Sequence, residues 1–405
     1  MWWATRGRPS STTSSCSTCS RGMANSLSGR ALLAIILAAS IASTIGGLPF
    51  NSLPVVLGSM ADTFGLPPDT IGMMGSVCFT GYLAGTLGAP FWINRIDWRT
   101  LTIVSAGATA SAFALSATVV RVDILYLLWA LIGFFASTMT CLGMRILSDQ
   151  PDKVRALGVR LGVELSITAA VLFALPPLLI ASWRYTGAAL GLAGVVLLLA
   201  VSALWLPRGP RGVPASNAAP GAALPMASWA SLAVFFLFLV GNVGLWAFLE
   251  RIGAASQVAP AGMGMVFAVL KLLGGVAGFA VAFAGERLGR RLPFLLVLAG
   301  STAGLALLAS GGGLVTFALG AWTWEFFFTC GCVFQTAAIA HTDRSGRAIV
   351  LVPAAFALGS MVGPGLAGYL LADAGIAAVL GLAFASSLAP VLATAWRRSS
   401  RAIAA

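Results

Sequence analysis

The sequence predicts an all-α membrane protein of twelve transmembrane helices in two pseudo-symmetric six-helix bundles. Three observations predict it. Of the 405 residues, 59% are apolar and only 9% charged, with a mean hydropathy of +0.94, whereas a soluble surface needs roughly a quarter of its side chains charged. The apolar residues gather in twelve runs of about 20 residues or more, the length that at about 1.5 Å per residue crosses a hydrocarbon core of about 30 Å. A basic turn also recurs: AGERLGRR at 284–291 has a degraded copy, WINRIDWR, at 92–99. Glu286 and Asn94 stand 192 residues apart (286 − 94), a repeat of a little under half the chain.

Taken in order, residues 1–29 are rich in Ser and Thr, carry Arg6, Arg8 and Arg21, and lack the apolar core of a cleaved signal peptide. They are expected as a disordered cytoplasmic tail, within which Met23 would serve equally well as a start. Spans near 31–60, 70–93, 100–120, 123–146, 157–181 and 185–206 form an N-terminal bundle over 30–206. Pro207, Pro210, Pro214, Pro220 and Pro225, among Gly, Ala and Ser, make 207–227 a flexible linker. Spans near 228–250, 262–284, 292–310, 313–339, 348–371 and 375–396 form a C-terminal bundle over 228–397, ahead of a cytoplasmic tail at 398–405. The runs are continuous, without the alternation of a barrel strand, so each is a helix. The other connections are short, about a dozen residues at most, and hold no soluble catalytic domain.

The basic residues set the orientation. With the N-terminus inside, 20 arginines and lysines fall on the inner side and three, Arg121, Arg184 and Arg251, on the outer side, with Lys271 inside a span. That bias places both termini in the cytoplasm, and the expected location is a bacterial cytoplasmic membrane. The net charge of +12 is scattered singly between apolar runs, without a basic stripe or interleaved aromatics, which argues against nucleic acid. Cys78, Cys141, Cys330 and Cys332 fall in apolar runs as buried thiols. Cys16 and Cys19 form a lone C-x-x-C with no second pair or nearby histidine, so no metal or cofactor is expected.

Two six-helix halves, a proline-rich central linker and a basic turn after the second and eighth spans resemble the major facilitator superfamily. The likeness covers residues 30–400. The family's turn is G-x-x-x-D-[RK]-x-G-[RK]-[RK]. The second half reads Ala282, Glu286, Arg287, Gly289, Arg290, Arg291, and the first half Pro90, Asn94, Arg95, Asp97, Trp98, Arg99, of which Arg95 and Arg99 match. An acid at a helix end followed by basic residues can latch a neighbouring terminus, and the resemblance implies a gating motif of Arg95, Arg99, Glu286, Arg287, Gly289, Arg290 and Arg291. The alternative for these arginines is charge bias alone. Ser182 to Tyr185 is similar to the family's turn between helices 5 and 6, and Gly359 to Gly368 to its small-residue helix 11. The helix 4 arginine of many family exporters has no match, since Trp129 stands four before Gly133. Helix 5 carries Pro176 and Pro177 in place of the drug-antiporter motif.

A charge at a helix centre costs about 2.5 to 3.5 kcal/mol, so each should face a partner or a cavity. Lys271 on span 8 and Glu325 on span 10 lie at similar mid-depth, and Gly274, Gly275 and Gly278 share the face of Lys271. The resemblance implies that helices 1, 4, 7 and 10 line a central cavity flanked by 2, 5, 8 and 11, which turns both groups inward. They form either a proton-coupling site or a permanent pair that assembles two helices. Glu164 and Arg160, at i and i−4, are a second coupling candidate or a local bridge. Asn51, Asn242, Trp246, Trp322, Phe328 and Arg145 are substrate-cavity candidates. The alternatives are interhelical hydrogen bonding for the amides, packing for the aromatics and snorkelling for Arg145. Glu250 and Arg251 read as an interfacial pair, with gating as the other reading.

The expected function is secondary active transport of a small organic solute by alternating access, with protons as the expected coupling partner, since no nucleotide-binding motif is present to drive it. The aromatics favour efflux. Proton-coupled uptake of a metabolite is the alternative, and a membrane-embedded sensor or enzyme on this scaffold is the reading from another class. A monomer in the lipid bilayer is expected.

Overall fold

The computed structural model describes residues 29–150, 153–208, 224–289, 291–342, 348 and 351–403. The expected tail at 1–28, the linker core at 209–223 and Arg290 of the basic turn lie outside the described residues. The described chain is helical throughout. Helix α1 is Gly29–Asn51 and runs on past Ser52 as Leu53–Phe64. Then follow α2 Pro68–Ile93, α3 Trp98–Ser116, α4 Val122–Ser148, α5 Lys153–Leu175, α6 Ala181–Ala200, α7 Met226–Ala255, α8 Pro260–Ala284, α9 Leu292–Ala309, α10 Gly313–Ala340, α11 Val352–Ala374 and α12 Ile376–Ile403.

Among the described residues ten stretches are long and apolar enough to cross a membrane, and one of them, Gly158–Trp205, holds both α5 and α6. Helix α3, rich in Ala, Ser and Thr, completes the twelve-helix, multi-pass fold. The α5–α6 reversal is tight: a π turn at Pro176–Ile180 leads into Ala181, and Arg184 takes φ 49° and ψ −134°. This is the Ser182–Tyr185 turn, and Tyr185 anchors it with its hydroxyl on Ser116 at 2.7 Å while accepting from Trp129 at 3.1 Å.

Three boundaries differ from the sequence expectation. Helix α1 passes residue 60 to Phe64 because Ser52 keeps helical φ and ψ, and its N–H bonds Leu48 O at 2.9 Å. Helix α7 runs five residues past 250, which puts Arg251 inside a helix. Helix α12 continues through the expected tail 398–405 to Ile403, since no glycine or proline follows Pro390 to stop it.

Within the first half α4 packs on α1, α2 and α3, and α6 on α3; within the second, α10 packs on α8 and α9, and α7 on α11 and α12. Among the described residues the halves meet mainly along three seams, α2 with α11, α5 with α8, and the Leu53–Phe64 end of α1 with α7. The first two are exchanged by a pseudo-two-fold relation between halves. Small residues close them. A Cβ on Gly72 would stand 2.9 Å from Gly368 Cα, and one on Gly264 2.8 Å from Phe173 O, so the backbones touch and larger residues would force them apart. Below, the side carrying 206 and 224 is the linker face, and the other the far face.

Candidate functional site

Lys271 stands 11 residues into α8 (271 − 260) and Glu325 12 into α10 (325 − 313), about 16 and 18 Å from the far-face ends at about 1.5 Å per residue. Equal depth on adjacent helices brings them together: Lys271 Nζ lies 3.6 Å from Glu325 Oε1, and both side chains are over nine-tenths buried. Gly274 makes room for the acid, since a Cβ there would meet Glu325 Oε1 at 3.2 Å. The ammonium also lies 3.8 Å from the Trp246 ring centroid and 5.7 Å from that of Phe50, close enough for cation–π attraction. Trp246 in turn donates from Nε1 to Phe50 O across the seam at 2.8 Å. The pair therefore rests on the α1–α7 junction between the halves.

A second pair sits on α5. Arg160 Nη2 forms an ion pair with Glu164 Oε2 at 2.8 Å. Arg160 Nε also donates to Ser43 Oγ at 2.7 Å, and Asn51 Nδ2 to Glu164 Oε1 at 3.4 Å. Gly47 of α1 lies beneath the carboxylate, where a Cβ would stand 2.3 Å from Oε1. Glu164 is near enough to Lys271 across the α5–α8 seam to act on it electrostatically.

At the far face Arg251 closes the α1–α7 junction. Its Nη1 and Nη2 grip Asp62 at 2.6 and 2.8 Å, Nη2 also reaches Gly58 O at 2.9 Å, and Nε bonds Glu250 at 2.8 Å. Asp62 lies beyond the apolar stretch Ala31–Asn51, and its hydrogen bonds from Arg251, with help from the charges of Arg251 and Arg184, hold its carboxyl below the usual range against the pull of burial. A pocket of about 330 Å³ lies beside this junction, bordered by Ala61, Leu66, Ile71, Phe248, Arg251 and Leu371.

The Major Facilitator Superfamily model matches residues 32–338, three quarters of the chain. The chain belongs to the Major Facilitator Superfamily. Solved structures agree on the fold. A bacterial homologue of the human lysosomal transporter Spinster, inward-facing and unoccupied, matches with a TM-score of 0.67 at 14% identity, covering 90% of this chain and 95% of that one. The nucleoside transporter NupG matches with a TM-score of 0.69 at 15% identity, covering 89% and 98%. A D-xylose–proton symporter matches with 0.69 at 12%, covering 89% and 96%. At such identities the likeness concerns the fold. No curated protein sequence matches the chain. Family and neighbours point to transport rather than catalysis.

In this facilitator several of the cavity candidates make contacts between helices, the other reading given for them above. Asn242 is fully buried, donating to Phe238 O at 2.9 Å and Ser387 Oγ at 3.2 Å and accepting from Trp324 Nε1 at 2.9 Å. It joins α7, α10 and α12 because a lone amide in an apolar core must find partners. Trp322 donates to Val266 O of α8 at 2.9 Å. Phe328 stacks between Trp324, at 5.5 Å, and Phe238, at 5.8 Å. Arg145 pairs with Asp149 one turn on, at the linker-face end of α4. Trp246 stays at the seam, bonded to Phe50, and Asn51 bonds Glu164 within its own half.

The basic turns differ. Arg95 is exposed, while Arg99 Nε donates to Leu206 O at 2.7 Å and ties α3 to the end of α6 inside the first half. Gly289 takes φ +66°, a conformation that favours glycine, and Arg287 lies 5.9 Å from the Phe283 ring. Arg291 is exposed. The Glu286 side chain and Arg290 lie outside the described residues. Cys78, Cys141, Cys330 and Cys332 are free thiols, and among the described residues no three His, Cys, Asp or Glu are grouped to hold a metal. Sequence reasoning missed Asp62, Gly58, Phe50 and Ser43. None breaks an apolar run by itself, and their meaning comes from what faces them.

Proposed function

We propose that this facilitator is a proton-coupled secondary transporter of a small organic solute, with its linker face in the cytoplasm. Lys271 and Glu325 form the coupling site, and Arg251 with Asp62 closes the far face. The reading is carried by one observation, the buried Lys271–Glu325 pair whose ammonium rests on Trp246, itself bonded across to α1. Any rocking that parts α1 from α7 moves Trp246 and so changes the balance between the charged and neutral forms of the pair. That linkage is what coupling requires. The proton symport named for one of the structural neighbours fits the same scheme. The preference for efflux rested on an aromatic cavity, and with Trp322 and Phe328 spent on helix packing, movement of solute and proton in the same direction is the better reading.

The test is uptake of a panel of labelled metabolites into proteoliposomes under an imposed pH gradient. Wild type should respond to the gradient, whereas Glu325→Gln should exchange solute but no longer accumulate it. Equal accumulation by both would remove Glu325 from coupling.

A further inference from the structure

The chemistry of the seam also narrows the solute. Four charged side chains gather there, Arg160 with Glu164 on α5 and Lys271 with Glu325 on α8 and α10. In their charged forms they sum to zero. A buried site of this kind tolerates the loss of one charge only when something of the same sign replaces it. Two exchanges are conceivable. Loss of the carboxylate charge calls for an anion, and loss of the ammonium charge calls for a cation.

The geometry separates them. Lys271 is held from three sides, by Glu325 at 3.6 Å, Trp246 at 3.8 Å and Phe50 at 5.7 Å. Two of those contacts are aromatic faces that favour the charged ammonium whether or not Glu325 is charged. Among the described residues Glu325 pairs with Lys271 alone. It has the glycine surface of Gly274 on one side, and Thr329 and Cys332 on its own helix. The carboxylate is the charge this site can give up, and Lys271 is the one it keeps. Glu164, the other acid facing Lys271, is already engaged by Arg160 and Asn51.

Resting on the coupling role proposed above, we propose that the solute is an organic anion, a monocarboxylate with an apolar body, which binds Lys271 in place of Glu325 after Glu325 has taken a proton. The apolar body would lie against the Phe50 and Trp246 faces. One proton and one monoanion then cross together, so the cycle carries no net charge: transport follows the pH gradient and ignores a potassium–valinomycin potential.

Binding distinguishes this from its alternatives. Tryptophan fluorescence of the purified full chain in detergent would be titrated with phenylacetate, benzyltrimethylammonium and phenethyl alcohol. Glu325→Gln leaves Lys271 permanently without its acid, so phenylacetate should bind it about tenfold more tightly than wild type at pH 7.5, a difference of about 1.4 kcal/mol. Wild type should approach the mutant affinity as the pH falls, and the mutant should show no pH dependence. The double variant Lys271→Gln with Glu325→Gln leaves no unpaired charge, so it avoids the folding risk of Lys271→Gln alone, and it should bind none of the three. Benzyltrimethylammonium binding to wild type and lost in Glu325→Gln would overturn the anion in favour of a cation while leaving coupling intact. Failure of phenylacetate to bind Glu325→Gln that unfolds cooperatively in detergent, or to bind wild type at low pH, would overturn it as well. Loss of the gradient response is a separate readout, so the coupling role and the solute class can fail independently.

Discussion

The two acid–base pairs of the seam have the same kind of charge and opposite construction. Arg160 and Glu164 sit one turn apart on a single helix, touch at 2.8 Å, and are each tied to α1, through Ser43 and Asn51. Lys271 and Glu325 come from different helices, stand 3.6 Å apart, and lean on an aromatic face of a third. A pair within one helix, bonded to a neighbour in its own bundle, travels as a unit when the bundles rock. A pair resting on Trp246, which bonds across to Phe50, feels any parting of α1 from α7. On the proposed reading, charge inside a membrane is no index of coupling by itself, and attachment to the α1–α7 junction is the better one.

The largest expected effect breaks that comparison directly. In proteoliposomes Glu164→Gln should keep a response to the pH gradient at a reduced rate, whereas Glu325→Gln should lose accumulation altogether. Equal losses from the two would mean that the α5 pair also exchanges protons and that the contrast in construction carries no function.

A second contrast lies in stability. Removing one partner of a buried pair leaves an uncompensated charge and costs about 3–5 kcal/mol, so Lys271→Met should lower the Tm in detergent strongly, and Lys271→Met with Glu325→Met should restore most of it. On α5, Glu164→Gln leaves Arg160 bonded to Ser43, and the loss should be nearer the value of one charged hydrogen bond, about 1.5–3 kcal/mol. A smaller difference separates the glycines beneath the acids. A Cβ on Gly47 would stand 2.3 Å from Glu164 Oε1, against 3.2 Å from Glu325 Oε1 for Gly274. Overpacking costs about 1–3 kcal/mol, so Gly47→Ala should lower the Tm more than Gly274→Ala.

Much of this was legible in the sequence, for physical reasons. Bilayer thickness fixes the length of an apolar run, so the helices could be counted, and a charge is costly enough in such a run that Lys271 and Glu325 stood out, with equal depth placing them side by side. The partners of Asn242, Trp322 and Phe328 were not legible. Helical periodicity tells which residues share a face, and only packing tells which helix covers that face, so the contacts by which Asn242, Trp322 and Phe328 join α7, α8, α10 and α12 came from the structure alone. At the far-face junction the Glu250–Arg251 pair was legible, but Asp62 as the partner of Arg251 was missed although a signal existed. Asp62 and Arg251 are 189 residues apart (251 − 62) and Phe50 and Trp246 196 (246 − 50), both close to the 192-residue repeat. Repeat-related positions on α1 and α7 meet at the pseudo-two-fold axis, so searching the repeat for complementary charges would have paired Asp62 with Arg251.

That junction gives the smallest of the expected effects and compares the far face with the seam below it. The Asp62 side chain is 60% exposed, unlike Glu325, and an exposed bridge contributes only about 0.2–1 kcal/mol. Because Arg251 lowers its carboxyl when the face is closed, the bridge contributes in full above the ordinary aspartate value of about 3.9. Its contribution is lost as the pH falls through the lowered closed-state value, where Asp62 takes up a proton. Acid should therefore tilt the far face toward opening by a factor of about five at most, the ratio that 1 kcal/mol gives. Spin labels at Leu66→Cys and Leu371→Cys, across the far-face pocket, would report it as a longer-distance population growing below about pH 4. Asp62→Asn should hold that population constant over the same range, and a wild-type distribution that ignores acid would show that the small-residue contacts of α2 with α11 close the far face without help from the bridge.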